Sequence, residues 1–460
     1  MSLFLLPYSI RSLVFLYWSE KYYRLIDKIP FLNTYQKTHD IIDRQGQWVT
    51  FNDNVPLLEK METKKTVPTT FLPIVSILVA TRNEESVIGE LLDSIDKLTY
   101  DKKRYEVIIV DDSIDSTFQI LEKWEKHIAN LKIVKRSRSV GWKGGALNLA
   151  LKFMRGDSQY VIVVDADVIL PCDIIQQFMS VVQRNNTKDC NVIQGYCIPD
   201  NSAWLSHSTA PNWVSMGVEF RLAQRNMIEF FAKDKLNLPL QITGSLFMIK
   251  STILREIGFS NDLCEDWDLT LQLYLRGYGL TTAQNNDTNN SKSHILFHEK
   301  LNATNQAPNS FVSYFKQRLR VSEGHTRGFI KMIPCLVKSI QPLKSKLEIT
   351  LTGFQYLKNI FIFSLLMINL CALIIADFRI FNPVWLASII IQSFCMISVF
   401  LFNVTGFVLC AKKTRYNSTH VLSKLFLDFC TLPAFVTGST LGIIRKKGSF
   451  YETRRISKYS

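Results

Sequence analysis

Several residue patterns that identify common protein classes are missing from this 460-residue chain. Its nine cysteines contain no C-x-x-C spacing, and its seven histidines show no spacing typical of metal ligands. Four of the cysteines lie inside apolar stretches: Cys371, Cys395, Cys410 and Cys430. The sequence therefore indicates reduced thiols and argues against both a zinc site and a disulfide framework.

The amino-terminal segment lacks a small-residue cleavage site of the kind that follows a secretory signal. Residues 1–18 are apolar, but Pro7 and Arg11 interrupt them and basic residues follow. Because an arginine is costly in hydrocarbon, we expect an anchor that lies in the membrane interface, with a spanning helix as the alternative. We assign residues 1–72 to this membrane-proximal anchor and to a polar linker behind it.

Apolar mass combined with positive charge is what the chain has in abundance. Hydrophobic residues make up 47% of it, and its formal net charge is +14. This combination suits a protein seated on an anionic membrane face. Nucleic acid is the rival explanation of the charge, but the densest basic runs flank apolar segments, as at Lys412-Lys413 and Arg445-Lys446-Lys447. We therefore predict membrane lipids as partners and no nucleic acid.

The central part of the chain alternates strand-like and helix-like periods, which is the pattern of a parallel sheet. Strands are predicted at 74–80, 106–110, 131–135 and 160–164, with amphipathic helices between them. We therefore predict an α/β domain over residues 73–327 with a Rossmann-like mixed, mostly parallel sheet. Ligands of such sheets bind outside the carboxyl ends of the strands, where this chain places polar loops.

After residue 327 the sequence becomes typical of a membrane protein. Residues 328–356 mix apolar and lysine side chains, which suits interfacial amphipathic helices. Residues 357–460 contain apolar segments at about 357–376, 384–411 and 425–444 and end in a basic tail. We predict a multi-pass integral membrane protein with the α/β domain in the cytosol. Three spans would place the basic tail on the wrong side, so either the third segment is re-entrant or interfacial, or the amino-terminal segment also spans.

Carboxylates follow the second and fourth predicted strands. Asp111 ends a buried strand and can accept the N3 hydrogen of a uracil, although a turn or cap role is the simpler alternative. Asp165 and Asp167 flank a single residue directly after a buried strand. A divalent cation on a diphosphate prefers hard oxygen ligands, usually one or two carboxylates with phosphate and water. The pair therefore predicts a site for Mg²⁺ or Mn²⁺, with a solvated turn as the alternative.

Two later motifs add a candidate base and a candidate cation. Glu265-Asp266 begins a helix-like segment, where a carboxylate is commonly a cap. Inverting transfer to a hydroxyl needs one carboxylate beside the attacking oxygen, and we predict that Asp266 is this base. Gln317 and Arg320 share one helix face, and an arginine can neutralise a leaving diphosphate. A basic amphipathic surface is the alternative for this last pair.

The order of these motifs resembles family 2 glycosyltransferases of the cellulose, hyaluronan and chitin synthase type. The resemblance covers residues 74 to about 330 and also includes Gly141-Trp142-Lys143-Gly144-Gly145-Ala146-Leu147-Asn148 and Thr243-Gly244. It implies the GT-A fold and metal-dependent, inverting catalysis. It also implies a nucleoside-diphosphate sugar as donor, most simply a UDP-sugar.

Roles follow from the resemblance by position. It implies donor contacts by Thr81, Glu84, Asp111, Lys143, Asp165, Gln317 and Arg320, metal binding by Asp165 and Asp167, catalysis by Asp266, and acceptor contacts by Thr243, Gly244 and Glu265. One position departs, because Val321 stands where the Gln-x-x-Arg-Trp motif has its tryptophan. A branched aliphatic side chain offers no flat face to a sugar. We therefore expect either that Trp204 or Trp213 replaces the indole, or that the acceptor is not a long glycan.

The predicted function is transfer of a sugar from a nucleoside-diphosphate sugar to a glycan acceptor in polysaccharide synthesis. Transfer of a single sugar to a lipid acceptor, which makes a glycolipid, is the first alternative. From a different class, an inactive membrane scaffold or a transport protein would keep the same fold. The presence of all the required carboxylates argues against that last alternative.

Overall fold

The computed structural model describes residues 2–27, 72–137, 139–184, 191–199, 212–278, 295–308, 310–375, 383–413 and 416–445. Within these residues an eight-stranded sheet has the order β3-β2-β1-β4-β7-β6-β8-β5. The strands are β1 (Val75–Thr81), β2 (Tyr105–Asp111), β3 (Leu131–Lys135), β4 (Tyr160–Asp165), β5 (Val168–Ile169), β6 (Val192–Pro199), β7 (Phe247–Lys250) and β8 (Ile295–Asn305).

Helices surround the sheet and continue beyond it. Those of the sheet domain are α2 (Ile88–Asp96), α3 (Thr117–Glu125), α4 (Trp142–Phe153), α5 (Ile174–Arg184), α6 (Trp213–Gln224), α7 (Phe231–Lys235), α8 (Ser251–Ile257) and α9 (Glu265–Leu275). The others are α1 (Ser2–Asp27), α10 (Phe311–Lys338), α11 (Leu343–Gly353), α12 (Lys358–Ile375), α13 (Pro383–Lys413) and α14 (Ser418–Ile444). A π-helical segment, Arg225–Phe230, joins α6 to α7 without a break.

The predicted mixed, mostly parallel sheet is confirmed. Strands β3, β2, β1 and β4 run parallel, whereas β7 is antiparallel to β4 and to β6. Successive side chains of a strand point to opposite faces. Accordingly, Ile77 and Val79 of β1 belong to one apolar cluster and Leu78 belongs to another. Both faces of the central strands are therefore buried, which explains their continuous apolar sequences.

The strand register brings the polar loops together at one edge of the sheet. Thr81 at the end of β1 pairs with Asp111 of β2, and Ala80 pairs with Asp165 of β4. The carboxyl ends of these three parallel strands thus lie side by side. Their following loops form the floor of the candidate site.

The predicted boundary between residues 327 and 328 lies inside a continuous helix, α10. This helix packs against α14, which approaches it closely through small residues. A methyl group on Gly438 would lie 2.0 Å from Oγ of Ser322, and one on Gly442 would lie 2.6 Å from the carbonyl oxygen of Glu323. The first half of α10 carries Gln317 and Arg320, so the carboxy-terminal helices support the same helix that reaches the site.

Among the described residues, two helices are long and apolar enough to cross a membrane by length and composition. They are residues 387–404 of α13 and Ser418–Ile444, the whole of α14. Helices α11 and α12 pass the same test only together and are bent by 57° at the break between them. The apolar segments predicted at 357–376, 384–411 and 425–444 therefore correspond to α12, α13 and α14, and two of these helices qualify alone.

Arg11, which interrupts the apolar sequence of α1, has compensating partners in the fold. Its guanidinium lies 2.6 Å from Oε1 of Glu348 and 2.8 Å from Oε1 of Glu229. Nζ of Lys233 lies 3.1 Å from the same oxygen of each carboxylate. Two cations and two carboxylates thus offset one another's desolvation. This network attaches α1 to α11 and to the segment between α6 and α7.

Candidate active site

A cavity of about 620 Å³ opens at the carboxyl edge of the parallel strands. Its wall contains predicted site residues from widely separated parts of the chain: Thr81, Glu84, Lys143, Asp165, Asp167, Thr243, Gly244, Glu265, Asp266, Gln317 and Arg320. They come from the ends of β1 and β4 and the loops that follow, the amino-terminal turns of α4 and α9, the segment before β7 and the first half of α10. The structure therefore brings most of the predicted site residues to one place.

Lys143 is the central cation of the cavity wall. Its Nζ donates to Oδ1 of Asp165 at 2.5 Å and to the carbonyl oxygen of Gly244 at 2.7 Å. Oε1 of Glu265 lies 3.3 Å from the same nitrogen. Burial acts to lower the pKa of Lys143, but the carboxylates of Asp165 and Glu265 outweigh it and raise the pKa. Lys143 is therefore held as a cation between the two acidic motifs.

The position of Lys143 depends on a close contact of the following glycine. A methyl group on Gly144 would lie 1.9 Å from the carbonyl oxygen of Ser260 and 3.1 Å from Cβ of Glu265. Only glycine allows α4 to approach the loop before α9 so closely. Gly144 thus allows Lys143 to lie beside the carboxylates of α9.

Asp266 has the properties of a general base. Its Oδ1 accepts a hydrogen bond from the backbone nitrogen of Trp267 at 2.8 Å. Burial first, and then the charge of Glu265, raises the pKa of Asp266 to about 7, although Lys143 opposes the shift. Gly244, with φ of +80°, passes close to Oδ2 of Asp266, and a side chain there would press against the carboxylate. A carboxylate whose pKa is near neutrality suits proton abstraction from a hydroxyl.

The acidic pair after β4 lies in the same wall. The backbone nitrogen of Asp165 donates to Oγ of Ser245 at 3.0 Å, and Asp167 is buried to 3% exposure. Among the described residues no group of three or more histidine, cysteine or acidic side chains is arranged to hold a metal ion. Two carboxylates fit Mg²⁺ or Mn²⁺ when substrate phosphate oxygens and water complete the coordination. The donor set therefore fits a cation that arrives with a diphosphate.

Asp111 lies one layer behind the cavity wall and is completely buried. Its Oδ1 accepts hydrogen bonds from Oγ1 of Thr81 at 2.8 Å and from Oγ of Ser113 at 2.6 Å. Its Oδ2 has no hydrogen-bond partner in the described part of the chain. Asp112 lines the cavity instead, where Arg136 pairs with its carboxylate. Asp111 therefore joins the loops after β1 and β2 directly, and contact with a base would require its Oδ2 to become accessible.

One of the two candidate tryptophans, Trp213, is not part of the cavity wall. Trp213 stacks on Phe311 at 5.8 Å and meets Phe426 at 5.2 Å, in an apolar cluster outside the cavity wall. These aromatic contacts leave the indole partly buried. Trp204 lies outside the described residues.

The cavity is also lined by aromatic and basic side chains that were not predicted from the sequence as contacts: Trp142, Trp267, Arg318 and His325. The rings of Trp267 and His325 stack at 4.2 Å with an interplanar angle of 12°. Burial lowers the pKa of His325 to about 3, so this ring is neutral. Their positions in the sequence could have indicated that they line the site. Trp267 follows the predicted base directly, and His325 lies one helical turn after Val321.

Comparison with known proteins agrees with this geometry. Residues 76–257 of the chain match the family model Glycosyl transferase family 2. Its fold is shared with the mannosyltransferase PcManGT from Pyrobaculum calidifontis, solved in complex with GDP-Man and Mn²⁺. That likeness has a TM-score of 0.53 at 20% identity and covers 84% of this chain and 94% of the other.

Curated relatives include enzymes with different acceptors. A beta-monoglucosyldiacylglycerol synthase of Nostoc sp. is 31% identical over 208 residues, which are 44% of this chain and 42% of that protein. A poly(ribitol-phosphate) beta-glucosyltransferase of Bacillus spizizenii is 32% identical over 179 residues, 37% of this chain and 28% of that protein. The matched region thus spans less than half the length of either relative.

Proposed function

We propose that this protein transfers a sugar from a nucleoside-diphosphate sugar, most simply a UDP-sugar, with inversion at the anomeric carbon. The observation that carries the proposal is the convergence of Lys143, the pair Asp165 and Asp167, and Asp266 in the wall of one cavity. The match of residues 76–257 to Glycosyl transferase family 2 supports the reaction class. The apolar helices α13 and α14 support a membrane location. The cytosolic placement of the sheet domain is part of the proposal.

Donor binding follows from the charges of the cavity wall. Asp165 and Asp167 would hold Mg²⁺ or Mn²⁺, which stabilises negative charge on a departing diphosphate. Lys143 donates a hydrogen bond to Asp165. A diphosphate bound at Asp165 and Asp167 would therefore lie beside the ammonium group of Lys143. Gln317 and Arg320 approach from α10, on another side of the cavity. The loops after β1 and β2 would surround the base and ribose, with Thr81, Glu84 and Asp111.

Asp266 would remove the proton of the acceptor. The acceptor oxygen forms a bond to the anomeric carbon as the bond to the diphosphate breaks, and the proton passes to the carboxylate of Asp266. General-base catalysis of this kind is typically worth roughly 10² to 10⁴ in rate. Glu265 lies next to Asp266 and, with Thr243 and Gly244, would border the acceptor.

Two acceptor classes deserve a direct test. Polysaccharide synthesis is the first, and the Bacillus spizizenii relative named for poly(ribitol-phosphate) supports a polymeric acceptor. Glycolipid synthesis is the second, and the Nostoc relative named for diacylglycerol supports it. A specific observation favours the lipid: the side chain of Val321 lines the cavity where a sugar-stacking indole stands in the polymer-forming pattern. An aliphatic side chain does not provide that flat surface.

The full chain in membranes, incubated with labelled UDP-sugars and Mg²⁺ or Mn²⁺, tests the proposal. We expect release of the nucleoside diphosphate and a labelled product. A ladder of polymers would identify polysaccharide synthesis, and a single labelled lipid would identify glycolipid synthesis. Asp266→Asn is the control for catalysis, and equal nucleotide release by both proteins would refute the assigned base.

A further inference from the structure

A group of cations lies between the cavity and the carboxy-terminal helices. Arg225 opens the π-helical segment, one turn after Arg221 of α6. Arg318 of α10 lines the cavity and lies within electrostatic reach of Arg225. Lys424 of α14 lies within the same reach of Arg221. These four side chains, from three helices, are called the cation group below.

The cation group has few negative partners. Asp428 accepts from Arg221 and lies 2.8 Å from Nζ of Lys424, so one carboxylate serves two cations. Glu229 is also within electrostatic reach of Arg225, but it is already bonded to Arg11 and Lys233. An uncompensated excess of positive charge is therefore concentrated here. Such an excess attracts an anion.

Unsatisfied donors in the cation group agree with this reading. In the described part of the chain, Nε of Arg221, of Arg225 and of Arg318 is buried without a hydrogen-bond acceptor. No described residue accepts a hydrogen bond from the guanidinium of Arg225, which lies 5.2 Å from the ring centre of Phe230. Buried donors are normally satisfied, so three exceptions in one group require an explanation. Planar guanidinium groups with free donors are the usual means of binding phosphate.

The location distinguishes an acceptor from the donor. Arg225 is not part of the cavity wall, although Cys197 lies within electrostatic reach of both Arg225 and the pair Asp165 and Asp167. An anion at Arg225 would therefore lie outside the cavity wall, apart from the position proposed for the diphosphate at Asp165 and Asp167. The π-helical segment that starts at Arg225 is a feature found frequently at functional sites.

Aromatic rings connect the cavity to the apolar helices along the cation group. The ring of Tyr356 meets His325 of the cavity wall edge-on at 5.0 Å and stacks on Phe435 of α14 at 5.5 Å. The guanidinium of Arg221 lies 5.7 Å from the centre of the Phe435 ring. Basic and aromatic side chains thus extend from the cavity to the helix that is apolar enough to cross a membrane. This combination suits a molecule with an anionic head and an apolar tail.

We propose that Arg225 and Arg318, with Arg221 behind them, bind a phosphate group of the acceptor, so that the acceptor is a phosphorylated lipid. Neutral glycerides and uncharged glycans would not use these donors. The inference rests on the proposed function, because it assigns the acceptor of the same cavity. It adds two contacts, Arg225 and Arg221, that no sequence motif indicates.

The test measures binding of lipid probes to the detergent-solubilised full chain without donor. Tetradecyl phosphate is compared with tetradecanol and with inorganic phosphate. We expect the wild-type protein to bind tetradecyl phosphate at least tenfold more tightly than either other probe. Arg225→Gln should lose at least tenfold of that affinity, whereas Arg225→Lys should retain part of it. Lys235→Gln is the matched control, because it removes a partly exposed charge from the same continuous helix.

Affinity for the UDP-sugar is measured in parallel and should be the same in wild type and Arg225→Gln. Weaker donor binding in Arg225→Gln would assign the cation group to the donor and overturn the proposal. Equal affinity for tetradecanol and tetradecyl phosphate would refute the anion site. Equal affinity for inorganic phosphate and tetradecyl phosphate would refute the lipid part of the proposal. A wild-type protein that binds tetradecyl phosphate but neither binds nor cleaves any UDP-sugar would instead refute the proposed function. Melting temperatures identify any variant that does not fold.

Discussion

Asp266 should control the pH dependence of transfer. Burial and the neighbouring charge of Glu265 raise its pKa to about 7, from an ordinary value of 3.8. Only the ionised carboxylate can accept the proton of the acceptor, so activity should rise with pH. With a pKa of about 7, the ionised fraction grows from roughly 10% at pH 6 to roughly 90% at pH 8. We therefore expect kcat/KM for the acceptor to rise about tenfold between these values.

The assay is the initial rate of nucleoside-diphosphate release at subsaturating acceptor, because kcat/KM reports the pKa of the free protein. Asp266→Asn should lower the rate roughly 10²- to 10⁴-fold and leave donor binding intact. The matched control is Asp268→Asn, two residues further along α9. Asp268 is also buried and accepts from Ser260, but it is not part of the cavity wall. A flat profile between pH 6 and pH 8, or equal losses in both variants, would refute the assignment.

Three further changes test packing, charge and metal dependence. Gly144→Ala should lower the free energy of unfolding by about 1–3 kcal/mol, because its methyl group meets a backbone oxygen. The control Gly89→Ala has open space around its methyl group and should raise the free energy of unfolding by about 0.5–1 kcal/mol. Similar melting temperatures of the two variants would contradict this. Arg11→Met should lower the free energy of unfolding by about 3–5 kcal/mol, because it leaves buried carboxylates without one of their two cations. The control Lys97→Met removes a cation from an exposed ion pair and should leave the melting temperature unchanged. Chelation by EDTA should abolish transfer, and Mg²⁺ or Mn²⁺ should restore it; undiminished activity in EDTA would exclude the metal role of Asp165 and Asp167.

The sheet and most of its site were predictable because they depend on local sequence. Buried parallel strands require continuous apolar runs, and the four predicted strands differ from β1 to β4 by no more than one residue at either end. Once the strands are parallel, their carboxyl ends share an edge, so Thr81, Asp111 and Asp165 must lie near one another. The convergence of these loops follows from topology alone.

What the sequence could not provide depends on contacts between distant segments. Arg11 suggests an interfacial anchor when α1 is considered alone, but its partners Glu229 and Glu348 lie 218 and 337 residues away. Trp213 looks available for stacking until Phe311 and Phe426 are seen to cover it. Burial of Asp111 behind Asp112 depends likewise on how two loops meet. In each case the residue type indicated a possible role, but the sequence did not identify the partner that decides that role.

Helix α10 joins the chemistry of the cavity to the apolar helices. Gln317, Arg318 and Arg320 occupy its first half, and the small residues of α14 contact it one to two turns later. Because such close helix contacts admit little sliding, a shift of α14 would be transmitted to the side chains of α10 that line the cavity. The same α14 carries Asp428, which holds Arg221 of the cation group. A lipid bound among these helices would thus stabilise the positions of both α10 and the cation group. This gives a physical reason for an acceptor that reaches the cavity from the membrane.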